Sequence, residues 1–154
     1  MDPDARFAYT RAMTETAVES KLRSADHGIL ALADGDESYA IPLYHYYDDG
    51  SLFFRLGETP RNSKAAFIAA TETATFVVDG IERTADPAEE RGWSIVARGP
   101  IAPVPTDHPA YDVRRLNEWF APIRLFDEAH DEVELRLYEL AVEHLSGRRN
   151  CSNN

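Results

Sequence analysis

A chain of 154 residues has the length of one domain, and a hydrophobic content of 44% is enough to bury a core without disulfides or a metal. With 27 Asp plus Glu against 16 Lys plus Arg the formal net charge is −11, which argues against general nucleic-acid binding, because neutralising phosphates needs a basic face. There is no run of 18 apolar residues to span a membrane, and the single cysteine, Cys151, makes neither an intrachain disulfide nor a cysteine-based zinc site.

The start of the chain, "MDPDARFAYTRAMTE", lacks the basic-then-apolar order of a secretory leader, so the expectation is a soluble, cytoplasmic protein. Residues 1–154 read as one domain, with 1–27 as an N-terminal helical segment and 148–154 as a polar tail. Only Lys21 and Lys64 among the basic residues are lysine. An acidic, lysine-poor surface keeps a protein soluble where salt screens repulsion, as in halophilic proteins of salt-accumulating archaea. An ordinary acidic mesophilic protein is the alternative.

In chain order, Thr14 is the expected N-cap of a helix of about ten residues with Val18 and Leu22 on one face and Gly28 as its stop signal. "GILALAD" is a first strand ending at the turn "DGDE". "SYAIPLYHYY" is a second strand, "DDG" at 48–50 a hairpin turn and "SLFFRL" a third strand, the three forming a meander. Pro42 inside the second strand requires an edge or a bulge, where no ladder N–H is needed. "GETPRN" is a loop, and "SKAAFIAATE" a short helix capped by Asn62 or Ser63. "TATFVVD" is a fourth strand, "GIERTADPAEER" a loop, and "GWSIVARGPIAPV" a fifth strand bent or ended by its glycines and prolines. "TDHPAYDVRRLNEWFAPI" is helical in its middle, with Val113, Leu116 and Phe120 at helical spacing. In "DEVELRLYELAVEHLSGR", Val133, Leu135 and Leu137 alternate, and Leu140 and Val142 resume one step out of phase. A strand with a bulge at Tyr138–Glu139 fits that pattern, with a helix as the alternative. Six strands with two or three helices make a mainly β fold, a small, partly closed antiparallel β-barrel with flanking helices.

Motifs for phosphate loops, dinucleotide folds, zinc hydrolases and serine hydrolases are missing. The five histidines are scattered, His108 and His130 reading as solvated and His144 as a half-buried sheet residue. A bound cofactor is therefore the expected source of reactivity. The stretch "LFFRLGETPRNSKAAF" gathers Arg55, Arg61 and Lys64 against Glu58 alone. Arg55 ends a strand, Lys64 opens a helix, and Asn62 and Ser63 add polar donors. Such a set suits a phosphate monoester, whereas pairing with surface carboxylates is the plainer alternative for any one arginine. Tyr39, Tyr44, Tyr46, Phe53 and Phe54 alternate around the hairpin and suit a planar ligand. Phe53 and Ala40 read as core, His45 and Tyr44 as groove-facing.

The order "G-x-L-A", "Y-x-x-P", "D-D-G", "L-F-F", a lysine at a helix start and "S-I-V-A-R-G", with the closing "YELAVEHLSGRR", resembles the pyridoxamine 5′-phosphate oxidase-like family of flavin-binding split barrels. The short archaeal and bacterial branch that includes nitroimidazole-resistance-type proteins is the most similar. The resemblance runs from Gly28 to Val104 plus the closing strand. It implies a six-stranded antiparallel split β-barrel, a homodimer, and FMN at the interface acting on a small-molecule substrate. By the same resemblance, main chain of Ile41, Pro42 and Leu43 meets the flavin ring. Phe54, Arg55 and Leu56 make ring and ribityl contacts, Asn62, Ser63 and Lys64 take the phosphate, and Ser94 beside Trp93 is a polar contact on the fifth strand. The family's middle phosphate arginine is Ser63 here, so Arg61 or Arg55 stands in. The oxidase's C-terminal substrate residues have no counterpart, so pyridoxamine phosphate is not the expected substrate. The expected function is an FMN-binding oxidoreductase or flavin reductase. The alternatives are a deazaflavin-dependent reductase whose wider basic groove uses Arg83, Arg91 and Arg98, and a non-enzymatic flavin store, sensor or dimeric interaction module.

Overall fold

The structure is a computed structural model that describes residues 10–58, 64–112, 114–115, 118, 120 and 134–150. Its elements are β1 (Thr10–Ala12), α1 (Glu15–Ser24), β2 (His27–Asp34), β3 (Glu37–Asp48), β4 (Ser51–Glu58), α2 (Lys64–Ala70), β5 (Ala74–Glu82), β6 (Arg91–Gly99), β7 (Ile101–Pro103), β8 (Glu134–Ala141) and β9 (His144–Asn150). Two 3₁₀ turns, Pro87–Glu89 and Pro109–Tyr111, lie in the connections. All pairings are antiparallel, in the order β1-β9-β6-β5-β2-β3-β4-β8-β7.

The expected mainly β class holds, but the described residues form nine strands rather than six. The difference has three physical sources. Pro100 interrupts the fifth expected strand, dividing it into β6 and β7. The last expected strand turns at Val142–Glu143, dividing it into β8 and β9. Residues 10–12, expected within a helical segment, pair with β9 as Thr10↔Asn150, Arg11↔Arg149 and Ala12↔Arg148. The same pairing places Arg148, Arg149 and Asn150 in a strand rather than in a polar tail; residues 151–154 lie outside the described residues.

The bend at Pro100 closes the barrel. β6 pairs with β5 and β9, whereas β7 pairs with β8, so one run of chain passes from one half of the sheet to the other. The corner is held by Ala141 N–H donating to the Pro100 carbonyl at 3.0 Å and Glu143 N–H donating to the Arg98 carbonyl at 2.9 Å. Gly99 is required there, because a Cβ would lie 1.8 Å from the Ala141 carbonyl oxygen.

No bulge exists at Tyr138–Glu139, and the strand reading of this segment prevails over the helix. The β4–β8 ladder runs unbroken from Ser51↔Ala141 to Glu58↔Glu134. The hydrophobic pattern shifts phase because β8 is buried on both faces. Tyr138 and Leu140 enter the main core with Phe54, Phe76 and Ile95, and Leu137 enters a second cluster with Phe53, Val104, Ala110 and Phe120.

Thr14 caps α1 as expected, its hydroxyl oxygen accepting from Ala17 N–H at 3.2 Å. Gly28 does not stop that helix, which ends at Ser24. It lies in β2, where a Cβ would meet the Val77 carbonyl oxygen at 2.5 Å. Within the segment 106–123 there is a 3₁₀ turn at 109–111, and Arg114, Arg115 and Glu118 are helical, with Phe120 buried; Val113, Leu116 and His130 lie outside the described residues. Within "GIERTADPAEER", β5 continues to Glu82 and only 83–90 is non-strand. His108 is exposed, and His144 is exposed rather than half-buried. Among the described residues no helix is long and apolar enough to cross a membrane, and no group of three or more His, Cys, Asp or Glu is placed to hold a metal ion.

His45 departs from its expected groove position: it is 4% exposed, edge-on to Phe76, with Nε2 3.0 Å from the Leu22 carbonyl oxygen. Nε2 therefore carries the proton, and Nδ1 is buried with no hydrogen-bond partner among the described residues. Burial holds the imidazole pKa below its usual 6.5, outweighing the opposite pull of the Leu22 carbonyl and Asp26. The unfolded chain then takes up the proton first. Stability is full above pH 6.5 and falls as the pH drops below it, until the folded imidazole also protonates. Urea midpoints measured from about pH 7 to pH 5, where most carboxylates are still ionised, should fall for the wild type and fall less for His45→Asn. Equal slopes would show that His45 is not the responsible group.

Candidate functional site

β3 is twelve residues long and pairs with β2 from His27↔Tyr44 to Asp34↔Glu37. Its pairing with β4 covers only Asp48↔Ser51 to His45↔Phe54. Continued in register, that ladder would set Tyr44 against Arg55 and Pro42 against Gly57. Instead β4 stays with β8 out to Glu58 and the two strands part. The outer edge of β3 from Glu37 to Tyr44 thus faces no strand among the described residues. Pro42, which has no N–H to give a ladder, sits on this edge as its presence in a strand required.

The split is lined from both lips. Alternation along β3 turns half-buried Ile41 and Leu43 toward the main core and exposed Pro42 outward. On β4, Phe54 and Leu56 are buried in the main core. Arg55 points to the opposite face, among the side chains of the second cluster, with its guanidinium carbon 5.6 Å from the centre of the Phe120 ring. Arg55 is only 7% exposed, and desolvation lowers its pKa from the usual arginine value. Half-buried Tyr44 and Tyr46 pack on the same cluster. Phe53 is buried there too, so it is core to the outer layer rather than to the barrel, and Ala40, expected in the core, is exposed.

Lys64 is the first residue of α2 and is half-buried. α2 is tied to the edge of β3 by the stack of Phe67 on Tyr39, with centroids 5.1 Å apart and planes at 20°. Its end is pinned by Thr71, whose hydroxyl oxygen accepts from Ala33 N–H at 3.1 Å and lies 2.6 Å from the Phe67 carbonyl oxygen. The expectation of clustered cations included Arg61, Asn62 and Ser63, which lie outside the described residues. The Tyr39–Phe67 contact is not legible in the sequence, because nothing in the spacing of those two aromatics marks them as neighbours.

Trp93 and Ser94 are not brought to this edge. They lie on β6, separated from β3 by β5 and β2, three strand spacings or about 14 Å away. Alternation also sends them to opposite faces. The Trp93 ring packs over Gly80 and under Lys21, whose Nζ is 5.0 Å from the ring centre and 2.8 Å from Glu82 Oε1. Ser94 faces a hollow of about 250 Å³ with Asp79, Arg148 and Asn150. Nor do the three arginines named for a wider groove converge: Arg91 and Arg98 lie at opposite ends of β6, about 23 Å apart along the strand. Arg83 pairs with Glu90 at 3.4 Å.

Residues 14–149 match the profile of the family described as Pyridoxamine 5′-phosphate oxidase. No curated protein matches the chain. Among solved structures, an FAD-binding protein of Mesorhizobium loti is similar with a TM-score of 0.69 at 20% identity, covering 92% of this chain and 97% of its own. A candidate 5-nitroimidazole antibiotic resistance protein of Bacteroides thetaiotaomicron has a TM-score of 0.66 at 15% identity, covering 91% and 87%. An FAD and heme binding protein of Mycobacterium smegmatis has a TM-score of 0.64 at 14% identity, covering 95% and 74%. At these identities the likeness is one of fold.

Proposed function

The chain belongs to the pyridoxamine 5′-phosphate oxidase family, and on that premise we propose that it binds a flavin, FMN, along the split between β3 and β4 and serves as an oxidoreductase or flavin reductase for a small acceptor. One observation carries this reading: the β3–β4 ladder stops at His45↔Phe54 and leaves a strand edge beside a buried arginine. Backbone N–H and C=O groups on such an edge need partners, and the polar rim of a flavin ring offers them. The flavin, when bound, supplies electron transfer at its ring; the chain supplies position and electrostatics.

Ile41, Leu43 and Tyr44 are apolar enough to shield the ring from water. Arg55 and Lys64, with Arg61, Asn62 and Ser63 between them in the sequence, are assigned to the phosphate. Arg55 is already stripped of much of its water, so an anion beside it is attracted more strongly than by an exposed guanidinium. Trp93 and Ser94 complete the site from a second copy of the chain, since one copy keeps them about three strands away. A homodimer also covers the row Pro42, Ile29, Val77 and Val96, which lie in register across four strands with Ile29 42% exposed. The flavin-binding descriptions of the M. loti and M. smegmatis proteins support the ligand class and make FAD the competitor to test beside FMN.

Fluorescence titration with FMN tests the assignment. Lys64→Ala should lose one charge-assisted contact and weaken binding by about 1.5–3 kcal/mol, roughly tenfold to 150-fold. An unchanged dissociation constant would remove Lys64 from the site. Tighter binding of FAD or a deazaflavin would reassign the cofactor.

A further inference from the structure

We propose that the corner between β1, β9 and the start of α1, apart from the open edge of β3 in the same copy of the chain, is an anion site that takes inorganic phosphate or a small phosphate monoester on Arg11 and Arg149. The two arginines are direct partners across the β1–β9 ladder. Direct partners share a face of the sheet, and like charges set opposite each other are destabilising. In a chain with eleven more acidic than basic residues, carboxylates are plentiful. Yet among the described residues neither guanidinium has a carboxylate within the 4.0 Å of an ion pair. Glu82, the acid that feels Arg149, is engaged by Lys21 at 2.8 Å.

Both arginines line one hollow of about 280 Å³, with Ala12, Met13, Thr14 and Ala17 as its other walls. The face is set by Gly147, two residues before Arg149, where a Cβ would come within 2.6 Å of Val18 on α1. The next residue, Arg148, points the other way and is spent on Thr10, donating from Nε to its hydroxyl at 3.0 Å and from Nη2 to its carbonyl at 2.8 Å. The Thr14 hydroxyl oxygen accepts from Ala17 N–H, which leaves its own proton to donate. Two guanidinium forks match the several oxygens of a phosphate better than one carboxylate. The Met13, Ala12 and Ala17 walls have room for a small apolar group on a monoester.

Thermal unfolding in inorganic phosphate, against chloride at equal ionic strength, reads the site. Phosphate at a hundredfold excess over its dissociation constant should raise Tm by about 5–10 °C. Arg11→Gln and Arg149→Gln should each lose most of that rise. Each should also equal or exceed the wild-type Tm in phosphate-free buffer, because the repulsion is gone. Arg11 is exposed on a three-residue edge strand, so Arg11→Gln carries the test if Arg149→Gln does not fold. Lys64→Ala should keep the full rise, which separates this site from the flavin phosphate contacts. No rise in the wild type, or an equal rise in both glutamine variants, would overturn the proposal.

Discussion

Gly99→Ala is expected to cost more than about 4 kcal/mol, enough to leave a domain of ordinary stability, about 5–15 kcal/mol, partly unfolded. The added Cβ would sit 1.8 Å from the Ala141 carbonyl oxygen, 2.9 Å from its carbon and 3.2 Å from Glu143 N. All three are main-chain atoms, so no side chain can swing aside. The backbone cannot retreat cheaply, because Ala141 and Glu143 are held on both sides of Gly99 by their bonds to Pro100 and Arg98. Relief of the clash requires opening the corner that joins the two halves of the sheet. Gly92→Ala in the same strand is the control: its Cβ would first meet Asn150 Nδ2, at 3.5 Å, an ordinary contact. Urea denaturation of both variants measures the difference, and a near wild-type Gly99→Ala would show that the β6–β7 bend does not close the barrel.

Phe54→Ala should cost about 3–5 kcal/mol, the range for removing a fully buried aromatic ring. Phe54 is 0% exposed, its ring centre lies 4.9 Å from that of Phe76, and it pairs with His45 on one side and Tyr138 on the other. It is also the last β4 rung before the strands part. The cavity would open at the root of the split, so FMN affinity should fall together with the unfolding midpoint. A large stability loss with unchanged FMN affinity would separate the barrel core from the candidate site.

The strands most legible in the sequence were those carrying a local signal. The β3–β4 hairpin announced itself in "DDG", where Asp49 and Gly50 take φ of 43° and 82°. Pro42 declared an edge inside a long strand, and that edge became one lip of the split. What escaped was non-local. Thr10–Ala12 is a strand only because β9 is there to receive it, and three residues carry no period. The phase shift in β8 resembles a bulge because its side chains are buried on two faces, and a period-2 pattern marks only one. By its polarity His45 reads as groove-facing. A carbonyl of α1, remote in sequence, holds it in the core. For the site, the order of motifs pointed to the family, and the geometry put Ile41, Pro42, Leu43, Arg55 and Leu56 on the two parting strands. It kept Trp93 and Ser94 away on β6, a separation that residue order in one chain does not encode.

The sharpest single measurement is an amide ¹H–¹⁵N correlation spectrum recorded while FMN is added to the protein. The largest shifts should fall on Ala40, Ile41, Leu43 and Tyr44 along the open edge of β3, with further shifts at Arg55 and Lys64. Perturbations confined to other strands, or none at saturating FMN, would contradict a flavin held where β3 and β4 diverge.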